Sequence, residues 1–117
     1  MTSSTVAMPQ TEIQWSEAEQ KVARRAFDRA YENEISTLVR VVREQTQAIA
    51  NSQDVWQLHD LLSSKRHELD GKYDYRYPGL IWVFAELVRD GWIQLTDLEG
   101  LERDKLTKIS VLARMQG

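Results

Sequence analysis

Two histidines stand eight residues apart in the stretch WQLHDLLSSKRHELDGKYDYR, Trp56 to Arg76, and each has a carboxylate near it: His59 beside Asp60, His67 three residues before Asp70. Imidazole next to carboxylate is the usual material of general acid–base catalysis and of metal ligation. The rest of the chain completes neither chemistry. His59 and Asp60 point about 100° apart on a helix, and no Gly-rich phosphate loop, nucleophile elbow or second motif converges on them. His59 and His67 would lie about 12 Å apart along a helix axis, too far for one chain to bring both to a single ion. The chain has no cysteine, which excludes thiolate metal sites, disulfides and a thiol nucleophile. A metal shared across two chains stays open as an alternative. The expectation is a protein that is not an enzyme, with no catalytic, cofactor-binding or metal-binding residue.

The same stretch reads differently on a helical wheel. With Trp56 at zero and about 100° per residue, Asp60, Ser63 and His67 fall close to it, and His59, Arg66 and Asp70 flank one side. Leu58, Leu61, Leu62 and Leu69 fall opposite and supply a face to bury. Trp56 therefore projects among charged residues, where a large indole is unusual unless something covers it. Trp and Arg are the residue types most enriched in interface hot spots, so Trp56, His59, Asp60 and Arg66 form a candidate binding face. Across a two-fold axis, Asp60 of one chain could pair with Arg66 of the other. The bland alternative is a solvated, ion-paired helix surface contributing little energy.

The elements that position this face are all helical. Gly and Pro number only five and two, and they fall between periodic segments. Ser16 to Glu19 reads as a capping box preceded by Trp15 as a staple, opening a helix that meets no Gly or Pro before about Ile49. Ala23, Phe27, Ala30, Tyr31, Ile35, Leu38, Val42 and Ile49 recur along one stripe. At about 1.5 Å per residue this helix is roughly 50 Å long, whereas a compact chain of this length has a radius of gyration of about 13 Å. Part of the stripe overhangs and calls for a second chain, unless the helix bends or breaks near Thr46. Glu34 and Gln45 interrupt the stripe and are candidates for fixing register. Asp54 is expected to cap a second helix closed by Gly71, and 72–79 (KYDYRYPG) is a tyrosine-rich connector. A third helix, about Leu80 to Asp90, is apolar on most sides and reads as the buried one. Thr96 to Glu99 reads as a second capping box opening the last helix, with Gly100 as a kink and Leu98, Leu101, Leu106, Ile109, Leu112 and Met115 facing inward.

The organisation expected is a flexible tail over 1–14 and one all-α domain over 15–117. Long helices over 16–70 form a long N-terminal helix plus hairpin, a small helical head spans 80–115, and the whole is an extended homodimer. At 117 residues the chain suits one core. Its formal charge of -3 gives no pull toward phosphate backbones. That counts against a helix-turn-helix DNA binder over 80–114, the rival reading alongside a purely structural helical dimer. No segment approaches the roughly 20 apolar residues of a membrane span, and no secretory signal opens the chain.

The central LHD…KRHE-x-DGKYD string, the apolar IWVFAEL segment and the Asp104–Arg114 ending together resemble the fluorescence recovery protein family of cyanobacteria, over about Trp15 to Arg114. The resemblance implies a cofactor-free helical homodimer, possibly also a tetramer, with no nucleic acid or small-molecule ligand. Its implied partner is the orange carotenoid protein, bound in the photoactivated red form at the C-terminal domain. It further implies faster reversion of that partner to the orange form, its detachment from the phycobilisome, and a cytoplasmic location at the thylakoid face through that complex. Residue by residue, Trp56, His59, Asp60 and Arg66 match positions of dimer contact and activity. Trp82 and Lys108 match a second contact region in the head, with Trp82 standing where a close relative carries Phe.

Overall fold

The structure is a computed structural model and describes residues 13–116. It is all-helical: α1 spans Glu17–Gln47, α2 Ser52–Lys72, α3 Leu80–Arg89 and α4 Arg103–Gln116, with 3₁₀ turns at Tyr77–Gly79 and Leu95–Leu98 and no strand among the described residues. The tail expected over 1–14 falls outside the described residues as far as residue 12. Ile13 and Gln14, by contrast, are tied in: Ile13 packs against the core and the Gln14 carbonyl accepts from Lys105 Nζ at 2.7 Å.

The first helix starts as its sequence dictates. Ser16 Oγ accepts from the Glu19 amide at 3.1 Å, and Glu19 Oε1 accepts from the Ser16 amide at 3.0 Å, which satisfies two orphan donors reciprocally. From there α1 runs to Gln47, so the break weighed near Thr46 is the helix end itself, where Thr46 Oγ1 donates back to the Val42 carbonyl at 2.7 Å. The cap of α2 is Asn51, not Asp54. The Asn51 side chain takes the Asp54 amide at 3.0 Å, while Asp54 accepts from the Ala50 amide at 2.9 Å. Nor does Gly71 close this helix, which continues to Lys72 because tertiary bonds to Lys72 and Tyr73 override a weak local stop signal.

A Schellman turn ends α3: Gly91 adopts a positive φ of 84°, the Gly91 amide reaches Val88 O and the Trp92 amide reaches Leu87 O. The second capping box also differs from expectation. Gln94 and Asp97 cap the Leu95–Leu98 turn, and α4 begins only at Arg103. Gly100 is a turn residue with φ 113°, not a helix kink. A Cβ there would meet Val22 Cγ2 at 2.7 Å, so the loop can press this close to α1 only with glycine.

The core is asymmetric along the molecule. Leu80, Ile81, Phe84, Ala85 and Leu87 of α3 pack with Ile109 of α4, Leu98, Leu101 and the small-residue stripe Ala23, Ala26, Ala30 of α1. Small residues there let the head approach the α1 backbone closely. Met115 was expected inside and is 74 % exposed, because α4 turns its last apolar position away from α3. Leu62 is likewise exposed, one step off the buried stripe of α2. Between residues 35 and 68 no residue is buried. The radius of gyration is 18.6 Å and the extents are 71 × 27 × 26 Å, against about 13 Å for a compact chain of this length, so the hairpin of α1 and α2 does overhang the head.

Candidate functional site

Leu61, Lys65 and Leu69 line a shared groove with Glu34, Thr37, Leu38 and Val41 of α1, Leu58 lies half-buried one turn before Leu61, and of these α2 residues only Leu69 is buried. Trp56, Asp60, Ser63 and His67 face the opposite way, as the 3.6-residue period requires. The Trp56 indole is 63 % exposed. Its ring meets the His59 imidazole edge-on, with centroids 6.0 Å apart, and His59 Nδ1 lies 3.3 Å from Asp60 Oδ1. Arg66 approaches Asp70 at 3.8 Å within the same helix. Trp56, His59, Asp60 and Arg66 thus share one exposed helix surface. The structure does not pair Asp60 with Arg66 inside the chain; each has its own neighbour on α2. Such exposed pairs contribute little to stability, which leaves both charges available to another molecule.

Catalysis finds no support in this geometry. The His59–Asp60 pair lies on an open helix face with no facing wall to exclude water. A groove of about 480 Å³ between α1 and the Leu95–Leu98 turn contains Arg25, Asp28, Arg29, Glu32, Asp97 and Glu99, charges of both signs without a nucleophile and base in contact. Among the described residues no group of three or more His, Asp or Glu could hold a metal ion.

The second candidate region is a built feature of the head. Trp82 of α3 and Lys108 of α4 line one groove of about 430 Å³ with Ile13, Pro78, Ile81, Thr107, Val111 and Leu112. Lys108 is the single charged side chain in this apolar lining, and Trp82 is 57 % exposed. The two residues are 26 positions apart in sequence and meet here because α3 and α4 pack along each other.

Two buried ionic clusters escaped the sequence reading. In the head, Lys105 Nζ donates to both Glu19 oxygens at 3.1 Å and to the Gln14 carbonyl, while Glu19 also accepts from the Glu102 amide at 2.9 Å. Burial alone would raise the Glu19 carboxyl, but the amides of Glu102 and Ser16 together with Lys105 outweigh it and hold it below its ordinary value. In the stem, Lys72 Nζ and the Tyr73 hydroxyl each donate to Glu34 at 2.8 Å. Burial and the Glu34 carboxylate push the Tyr73 phenol well above its ordinary range, so it stays a donor. Glu34 was visible as an interruption of the α1 stripe; nothing in the sequence named Lys72 and Tyr73 as its partners. Around Tyr73 the connector tyrosines build an aromatic row, Tyr31–Tyr73–Phe27–Tyr75–Tyr77–Trp15, with successive centroids 4.9 to 5.5 Å apart. This row welds the connector to α1.

Residues 15–113 match the protein family described as "Photoprotection regulator fluorescence recovery protein". The chain is 45 % identical over 104 residues to the fluorescence recovery protein of Synechocystis sp., covering 89 % of this chain and 95 % of that protein. Among solved structures it is similar to the fluorescence recovery protein of Fremyella diplosiphon, with a TM-score of 0.84, 53 % identity and coverage of 87 % of this chain and 100 % of the other. The Synechocystis structure matches with a TM-score of 0.83 and 46 % identity, over 86 % and 99 % of the two chains.

Proposed function

The chain belongs to the fluorescence recovery protein family, a family of photoprotection regulators, and from this premise we propose that it acts by docking on the orange carotenoid protein. It binds the photoactivated red form at the C-terminal domain, speeds its return to the orange form and promotes its release from the phycobilisome. Its place is then the cytoplasmic face of the thylakoid, held there through the complex; no described helix is long and apolar enough to cross a membrane. No covalent chemistry is required. A protein that binds the separated domains of its partner and steadies their return lowers the barrier to reassociation by differential binding. It must hold the closed form more weakly, because equal affinity for both forms shifts no equilibrium.

Within this reading Trp56, His59, Asp60 and Arg66 make the homodimer contact, with assembly to a tetramer as a further step, and Trp82 with Lys108 provides a second contact on the head. The observation that carries the assignment of α2 is the exposed Trp56 on a stretch of 34 residues, 35–68, with nothing buried. Leaving that much apolar helix surface bare is costly unless a second chain covers it. The acidic balance and the lack of a clustered basic recognition helix oppose the DNA-binding alternative.

The test is the dark recovery of the orange form after illumination, followed by absorbance with and without the chain. Accelerated recovery is expected; unchanged kinetics would remove the assignment. Trp56→Ala separates regulator from scaffold: a purely structural dimer would lose assembly and keep full partner binding.

A further inference from the structure

We propose that Lys105 is a positioning residue for the Trp82–Lys108 groove: its ammonium ties α4 to the segment carrying Ile13, two of the three segments that line the groove, so the groove keeps its shape only while that charge is held. The inference rests on the reading of this groove as a docking surface.

The groove has three sources. Pro78, Ile81 and Trp82 come from the start of α3, Thr107, Lys108, Val111 and Leu112 from α4, and Ile13 from the extended segment before α1. The α3 and α4 walls are fixed by the apolar core, through Ile81 and Ile109, which are almost wholly buried. Ile13 packs against the core with its side chain, but no helix holds its backbone. Its neighbour Gln14 is fastened by one bond to a side chain, the 2.7 Å contact from Lys105 Nζ to the Gln14 carbonyl. Lys105 lies on α4 one turn before Lys108, and only 5 % of it is exposed.

An ammonium has three donors, and here all three are used: one on Gln14 and two on the Glu19 carboxylate. The bonds to Glu19 join α4 to α1. The bond to Gln14 adds nothing to that joint; what it does is set the segment carrying Ile13 against α4. The Trp15 ring, 5.0 Å below the same ammonium, holds the following residue in place. One buried cation thus makes both the joint between head and stem and the far wall of the groove.

Two variants separate positioning from stability. Lys105→Met keeps the methylene stem and removes every donor; Glu19→Gln weakens the joint to α1 but leaves Lys105 bonded to Gln14. In a chain labelled with 5-fluorotryptophan and 13C-methyl isoleucine, with the Trp82 signal assigned by Trp82→Phe, Lys105→Met is expected to shift the Trp82 resonance and the Ile13 methyl resonance, with Trp56 unmoved. Glu19→Gln is expected to lower the Tm while leaving the Trp82 and Ile13 signals in place. If both variants move those signals in proportion to their loss of stability, or neither does, Lys105 is a stabilising residue only and the proposal falls. These readouts need no partner, so they decide the matter even if the docking reading fails. Where wild type does bind the photoactivated partner, Ile13→Ala, which leaves the donors and acceptors of the ion pair intact, is expected to weaken that association about tenfold with little change in Tm; unchanged association would overturn the docking reading of the groove.

Discussion

Phe84 of α3 and Trp56 of α2 are both large rings on helices, yet Phe84 is wholly buried while Trp56 leaves 63 % of its surface in solvent. Their surroundings differ in the same way. Around Phe84 two helices pack along each other and meet the alanine stripe of α1, and the charged pair buried beside this core, Glu19 and Lys105, is bonded, while Trp15 Nε1 is buried without a hydrogen-bond partner among the described residues. Around Trp56 there is one helix, its charged neighbours pair only locally, and even on the other side of that helix Leu38 and Val41 of α1 are only half-buried. One region is finished by its own chain. The other is left exposed, the region proposed above to be covered by a second molecule, and the Glu34–Lys72–Tyr73 cluster marks the border between them, fastening the C-terminal end of α2 to α1.

Substitutions should respect that border. Phe84→Ala is expected to cost about 3–5 kcal/mol in urea unfolding, the usual loss for a buried ring, whereas Trp56→Ala should stay within about 0.5 kcal/mol of wild type when both are measured as monomers. Equal costs would erase the distinction. Glu34→Ala leaves the Tyr73 hydroxyl without its acceptor and the buried Lys72 ammonium with only the 3.9 Å approach of Glu68, and should destabilise by about 3 kcal/mol; hydrogen exchange should then rise across 52–68 more than across α3. Gly100→Ala, which forces a side chain into a left-handed turn against Val22, should cost about 1–3 kcal/mol.

The pH response follows from Glu19. Its folded-state pKa lies below the ordinary 4.5, so the folded chain binds this proton less readily than the unfolded one. The stabilisation is fully present above about 4.5 and is lost as pH falls through the lower folded value. Urea midpoints of wild type and Glu19→Gln should therefore converge on acidification; parallel curves would show that Glu19 does not couple the head to protons. The smallest effect on folding is expected from Asp60→Arg, which should leave monomer stability unchanged while weakening assembly. Partial rescue by Arg66→Asp in the same chain would establish the cross-chain pair.

The helices were legible because periodicity and caps are local. Ser16 with Glu19 announced the start of α1, and the alternation of leucines with polar residues in α2 separated its two faces correctly except at Leu62. What was illegible depends on distance in sequence. Glu19 and Lys105 are 86 positions apart, and a buried lysine looks like a surface lysine until its carboxylate is placed. The misplaced starts of α2 and α4 have separate causes: at α2, Asn51 competes with Asp54, side chains of similar capping strength; at α4, Asp97 closes only a 3₁₀ turn by accepting from the Gln94 amide, and the left-handed Gly100 puts the helix start at Arg103. Trp82 and Lys108 entered through resemblance alone, since no spacing rule joins residues on different helices.

On the proposal above, residues 35–68 form an interface completed by a second copy, with Trp56 at its centre. Light scattering over a concentration series measures this most directly. A wild-type mass of twice the 13.6 kDa chain is expected at the upper concentrations, with a shift toward the single-chain mass in Trp56→Ala; a wild-type chain that stays at 13.6 kDa throughout, or a Trp56→Ala variant that assembles as tightly as wild type, would contradict this interface.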